Sequence, residues 1–479
     1  MTRHTRREFL RAAGCGGALL AASSAGRLLG AGAAGGKAPP NLVMVLADDQ
    51  TWFDANCYGN PTVRTPNTDR LAAQGMRFEL AFTATAMCVP SRSTLYSGLY
   101  PMRHGAHANH SRAKDGIRSL PHFLKPLGYD VTVAGKTHFG PKACFPIDAQ
   151  IGLQPAAIEK HIERCKGRPF CLMVCSHSPH VPWEMKGDYQ PAAVRLPPYF
   201  ADTPEVRQAM CYYYNEITEV DGLLGTVSDL LAKHGLADNT VLIYSSDQGA
   251  QWPHAKWTLY DAGIHVPLVV RWPGVVKPGS VSRAMVHFVD VLPTFVEVAG
   301  GRPPEGLDGR SFLPVLRGKT EQHRDVIYAT TTRDGTMNDY PGRAVRTRQY
   351  KYIRNLAPER EYTTHLTRAD LDKVAGRNPV QKTFWDSWRA KAKTDPAVAA
   401  FLQADAHRPA EELYDLGKDP HELHNLSDKP EMKQVLADLR GKLDEWMKAQ
   451  DDKGLAAEWQ PLAPPAPGGQ AKKKKARGQ

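Results

Sequence analysis

Long apolar runs are missing from the body of this 479-residue chain, so it lacks the plainest signature of a helical membrane span. Internal repeats are absent, which sets aside solenoids and propellers. Cysteine is scarce, eight in all, and no CxxC or Cys/His spacing of the zinc type occurs. Cys171 and Cys175 fall on one face of an apolar strand and read as small core groups. One disulfide in an oxidising compartment stays open, with its pairing unread. The body also has little excess charge. Of the net +11, the first 33 residues hold five Arg against one Glu, and the stretch after Gln470 holds four Lys and one Arg. That leaves +2 for everything between, too little for a nucleic-acid surface. The length suits one large domain and a smaller one.

What is present begins with a targeting pattern. Thr5-Arg6-Arg7-Glu8-Phe9-Leu10 reads as a twin-arginine signal, followed by an Ala/Gly/Leu-rich stretch and small residues at Ala31-Gly32-Ala33. The expectation is a leader over 1–33, export of the folded chain by the twin-arginine translocase, and a periplasmic or extracellular location. Cys15 invites a lipid-anchor reading, but Ala12 stands where such sites favour Leu. Residues 459–479, rich in Pro, Gly and Lys, read as a disordered tail, with polyanion binding as the functional alternative.

The chemistry gathers at strand ends. Asn41–Leu46 is an apolar, β-branched run that passes into Asp48-Asp49, a strand ending in two acids suited to a hard cation. Thr65-Pro66 opens a capped helix. Val131–Ala134 leads to Lys136 and His138, two apart and so able to point the same way. Phe170–Ser176 leads to His180, held between Pro179 and Pro182. Thr240–Ser245 leads to Asp247-Gln248, with Lys256 beyond. Between 85 and 98, Pro90 suits a first helical position and Gly98 a stop, which puts Cys88 at or before a helix N-terminus with Arg92 a turn on. Such a cysteine is a low-pKa thiolate, something derived from one, or a small buried hydrophobe. Helical spacing covers Glu216–His234 and Val286–Ala299. The αβ rhythm fades near Ile327. Tyr350–Ile353 suggests an antiparallel strand, Pro430–Gln450 reads as a closing helix, and Thr363–Ala406 has no functional reading.

Cys88-x-Pro90-Ser91-Arg92 resembles the signature of the sulfatases. So do Asp48-Asp49, Thr65-Pro66-Asn67-x-Asp69-x-Leu71, Gly135-Lys136-x-His138-x-Gly140, Pro179-His180-x-Pro182 and Ser246-Asp247-Gln248-Gly249. Glu411–Leu416 with Asn425-Leu426 resembles the family's C-terminal part. Gly140-Pro141 and Leu196–Phe200 look most like the heparan N-sulfatases. The resemblance implies an alkaline-phosphatase-like α/β fold. Its large, mostly parallel sheet would be flanked by helices over 38–325, with a smaller antiparallel-sheet-plus-helix domain over 326–458. It further implies that a maturing enzyme oxidises Cys88 to formylglycine, and that Asp48, Asp49, Asp247, Gln248 and residue 88 bind one Ca²⁺. Arg92, Lys136 and Lys256 would neutralise sulfate. A hydroxyl of the hydrated aldehyde would attack sulfur, His180 or Lys256 would protonate the leaving group, and His138 would act as base. The substrate implied is a sulfated saccharide, leaning to N-sulfoglucosamine of glycosaminoglycans. The alternatives are an O-sulfatase, an arylsulfatase, a phosphoester hydrolase of the same superfamily, or a non-catalytic glycan-binding protein. Gln248, where most sulfatases carry Asn or His, and Asp261-Ala262 depart from the family pattern.

Overall fold

All seven residues of β1 (Asn41–Ala47) are buried, because this strand lies inside a sheet covered on both faces. Alternation sends Leu42, Met44 and Leu46 into one apolar layer with Cys171 and Cys175, while Val43 and Val45 enter the other. The computed structural model describes residues 38–334, 339–367 and 379–458. The twin-arginine leader, Cys15 and the Lys-rich tail lie outside the described residues.

The sheet continues through β2 (Met76–Phe82), β3 (Asp130–Gly135), β4 (Ala149–Ile151), β5 (Phe170–Cys175), β6 (Thr240–Ser246), β7 (Leu268–Arg271) and β8 (Ser280–His287). Its order is β4-β3-β5-β1-β6-β7-β2-β8, and β7 alone runs against its neighbours. A second, antiparallel sheet is formed by β9 (Ile327–Thr331), β10 (Gly342–Arg346), β11 (Tyr350–Asn355) and β12 (Glu411–Asp415), in the order β12-β11-β10-β9. Helix Lys433–Ala449 covers it through Leu436, Leu439, Leu443 and Trp446, and Trp446 stacks on Tyr328 at 4.8 Å. This is the alkaline-phosphatase-like architecture with a smaller antiparallel part.

The central strands β3, β5, β1 and β6 are parallel neighbours, so their carboxyl ends open on one edge. Asp48-Asp49, Lys136, His180 and Asp247-Gln248 leave the sheet there.

Several local expectations shift. The helix expected at Glu216 begins at Pro204 and runs to Lys233, since Thr203 accepts from Val206 N–H and caps it. Val286 and His287 belong to β8, paired with Ala81 and Phe82, and only Val291–Val298 is α-helical. Thr65 does not cap helix Pro66–Gln74 with its side chain, because its hydroxyl accepts from Asn56 N–H instead. Asp221, from the long helix, accepts from the Asn67 and Thr68 N–H groups at 3.0 and 2.7 Å and takes over the capping. All seven described cysteines are free, so the open disulfide does not form among the described residues.

Candidate active site

Met87 in extended conformation starts a helix at Cys88, two residues before Pro90, and its ten residues to Ser97 are all buried. A helix this deep needs its polar groups answered. Val89 N–H donates to Asn109 Oδ1 at 3.1 Å, and the Ser91 hydroxyl donates to the Asp247 carbonyl at 2.6 Å. Gly98 closes the helix with φ 68°, a conformation that favours glycine.

The two sides of the site are acids and cations. Lys136 Nζ pairs with Asp48, and Lys256 Nζ lies 2.6 Å from Asp49 Oδ2. Arg92 contacts Asp247 through Nε at 2.9 Å and Nη2 at 2.8 Å, and its Nη2 is 3.6 Å from Asp48 Oδ1. Arg92 therefore ties Asp247 and Asp48 together. Cys88 Sγ is 3.6 Å from Asp48 Oδ1, 3.6 Å from Lys136 Nζ and 2.9 Å from Gln248 Nε2. Burial pushes its thiol up to about 12. Lys136 and Lys256 oppose this, and Asp48 and Asp247 add to it. Burial thus outweighs the helix N-terminus and the two lysines, and of the three readings of Cys88 the buried thiol or a derived group fits this field better than a thiolate.

One ligand atom each from Asp48, Cys88 and Asp247 lies within 4.8 Å of the others. Asp247 is pushed up to about 7 by burial and by Asp48 and Asp49, against Arg92 and Lys136, so the acids repel one another despite the cations around them. Gln248 Nε2 donates to Asp49 Oδ1 at 2.7 Å, while its Oε1 is buried with no hydrogen-bond partner. A half-turn of that amide would aim an oxygen toward Asp49 and Cys88. The carboxylate oxygens of Asp48, Asp49 and Asp247, acids that repel one another, and the stranded amide oxygen of Gln248 fit a hard divalent cation. The methylene that separates Gln248 from Asn does not remove it from the cluster.

The cavity over Cys88 measures about 260 Å³, and His138, His180 and Lys256 line it. His180 Nδ1 lies 2.6 Å from the Val181 carbonyl, which can only accept, so Nδ1 carries hydrogen and Nε2 faces Asp49 Oδ2 at 3.7 Å. Burial, then Lys256, lowers His180, while Asp49 and Asp48 oppose the shift. His138 sits at φ 51°, with its Nε2 3.4 Å from His110 Nδ1. It is lowered to about 3 by burial, Lys136, Arg92 and His110. His110 Nε2 is 3.2 Å from Asp334 Oδ1, and Asp334 also accepts from Asn109 and Trp257. His365 and Gln381, from the stretch without a functional reading, line the same cavity. None of His110, Asp334, His365 or Gln381 stands at a central strand end, so the pattern that found the others passes them by.

Acids, cations and a helix-borne cysteine at the open edge of a mostly parallel sheet define a hydrolase of anionic esters by fold and charge. The chain matches the family Sulfatase over residues 40–144 and 156–301, and the family N-sulphoglucosamine sulphohydrolase, C-terminal, over 251–375. It is 36% identical over 429 residues to an ulvan-active sulfatase of Formosa agariphila, covering 86% of this chain and 81% of the relative. It is 28% identical over 474 residues to human N-sulphoglucosamine sulphohydrolase, covering 88% and 92%. Its fold is shared, at TM-score 0.65 and 20% identity, with a protein solved in complex with its substrate D-glucosamine-2-N,6-O-disulfate, covering 87% of this chain and 99% of that one. The phosphonate monoester hydrolase of Agrobacterium radiobacter has the same fold at TM-score 0.67, 20% identity and 87% and 97% coverage. The chain belongs to the sulfatase family and is a sulfuric ester hydrolase.

Proposed function

We propose that this chain removes sulfate from sulfated carbohydrates, with residue 88 as the reacting position and Asp48, Asp49, Asp247 and Gln248 as ligands of a divalent cation, Ca²⁺ by the chemistry of the donor set. The observation that carries this reading is the meeting of Cys88 with Asp48, Asp247, Lys136 and Gln248 in one buried cluster. Formylglycine at 88 would supply a hydratable aldehyde, and the cation would supply charge neutralisation beside it.

The chain's own groups account for the remaining work. Lys136 and Lys256 hold positive charge where a sulfate oxygen enters. Asp334 accepts from His110 Nε2–H, so His110 Nδ1 accepts from His138 Nε2–H. His138 Nδ1, buried and without a hydrogen-bond partner, keeps a free lone pair. That tautomer leaves His138 an unprotonated ring nitrogen, which suits the role of base. His180, with Nδ1–H committed to Val181, can donate only from Nε2 of its cationic form, so the acid is His180 in that form or Lys256.

For the sugar, the N-sulfoglucosamine reading draws support from the C-terminal family match and the human relative. The ulvan-active relative supports a second reading, an O-sulfate ester within an acidic polysaccharide. Mass spectrometry of the peptide containing residue 88, with release assays on N-sulfated and 6-O-sulfated glucosamine, tests both levels. Unmodified cysteine throughout active protein overturns the formylglycine role, and no release from the N-sulfated sugar removes the sulfamate reading. Export by the twin-arginine route and maturation by a formylglycine-generating enzyme complete the proposal, and fractionation of the expressing cell tests the first.

A further inference from the structure

A second cavity with a chemistry of its own lies away from Cys88. It encloses about 620 Å³ between the loop after β1 and the proline-rich loop 195–199, and it shares no lining residue with the catalytic cavity. Its walls are rings held in place. Trp52 is only partly buried, yet its indole stacks on His265 at 4.4 Å. Phe53 meets Trp52 edge-on at 5.7 Å. Tyr199 is fixed by stacking on Phe401 at 5.3 Å. Immobile aromatic faces of this kind accept the C–H face of a sugar ring with little ordering cost.

The charges select among sugars. Asp261 and Glu422 line the floor, but Arg346 and Lys351 hold Asp261, and Lys351 also lies 2.8 Å from Glu422. Those acids are spent. Arg195 is exposed at the rim, and its guanidinium makes no ion pair with a described residue. Around the same loop, Arg64 pairs with Asp188 and Arg207 with Asp202. Among the described residues lining this cavity, the charge without an ion-pair partner is thus a guanidinium fork, which matches a sulfate or carboxylate.

The geometry points to a second, non-catalytic saccharide site here, holding an anionic sugar unit by ring stacking on the partly exposed Trp52 and by ion pairing to Arg195, with the buried Tyr199 ring behind them. The identity of the ligand as part of a polymeric substrate rests on the sulfated-carbohydrate reading, while the cavity and its charge stand without it. A chain tethered there raises the local concentration of its other units at the catalytic cavity.

The test uses the full chain and Arg195→Ala, a change at an exposed side chain. Calorimetry on the Cys88→Ala protein with a heparin-derived sulfated tetrasaccharide, an unsulfated uronate tetrasaccharide and a neutral cello-tetraose reads binding without turnover. Arg195→Ala in that background is expected to weaken the anionic ligand it pairs with by about tenfold, and the sulfated and uronate arms tell which anion that is. In the active protein, KM for a sulfated polymer rises about tenfold, while kcat/KM for a sulfated monosaccharide is unchanged. Equal affinity with and without Arg195, or no preference for the anionic ligands over cello-tetraose, overturns the site. Failure of the active protein to cleave any sulfated sugar overturns the functional reading instead, and the Arg195 effect on binding still decides this one.

Discussion

His138 Nε2 lies 3.4 Å from His110 Nδ1, and the far nitrogen of His110 lies 3.2 Å from Asp334. The chain of three fixes which nitrogen of His138 is free. Asp334→Asn removes the charge that holds His110 in its tautomer and leaves the shape nearly intact. We expect kcat to fall about tenfold, part of what a general base contributes, with the acidic limb of the pH–rate profile altered. His110→Ala should show the same change. An unchanged profile in both variants would mean that His138 is oriented by something else.

Chelation is expected to lower both activity and melting temperature, because Asp48, Asp49 and Asp247 then repel one another again. Restoring Ca²⁺ at a hundred times its dissociation constant would stabilise the fold by about 2.7 kcal/mol. Gln248→Ala should shrink that cation-dependent gain while leaving the metal-free protein folded. Melting curves in chelator and in Ca²⁺ read both effects, and equal gains in the two proteins would exclude Gln248 as a ligand.

Strands β1, β5 and β6 were legible because strands buried on both faces are unbroken apolar runs, and their acids and histidines follow at once in the sequence. The candidate site groups on those ends were legible for the same reason. His110 and Asp334 were not, since the loop joined through the Asn109–Asp334 hydrogen bond spans 225 positions and no period marks it. Asp221 capping a helix 153 positions away is equally silent in sequence. Cys88 shows the converse. Its helix N-terminus could be read, but the burial that raises its thiol is a product of packing.

Asp54 is buried and accepts from Tyr213 and Asn60, and burial raises it from 3.8 to about 7 despite those bonds. Between these values the folded chain binds a proton that the unfolded chain has lost. Stability on this account is full below about pH 4 and falls as pH rises to about 7, by about 4 kcal/mol in all. Asp54→Asn cannot ionise and should lose this slope, gaining on the native protein at pH 8 relative to pH 5. Urea midpoints at the two pH values measure it, and parallel shifts in both proteins would refute the assignment.

Asp261, where the chain departs from the family pattern, has a mechanical task in the structure. Its carboxylate takes Arg346 Nη2 at 2.8 Å and Lys351 Nζ at 2.5 Å, both from the second sheet, and its N–H donates to Glu422. Burial would raise Asp261, but these two cations hold it well below the usual carboxylate range. Asp261→Ala leaves two buried cations short of a partner, and the expected loss is about 3–5 kcal/mol. Asp261→Glu lengthens the arm and should recover part of it. Because the candidate active-site groups sit on the other sheet, the activity of the surviving folded fraction on a sulfated monosaccharide should stay near native. A denaturant midpoint unchanged in Asp261→Ala would show that Glu422 alone satisfies Lys351 and that the pairing across the two sheets adds nothing to stability.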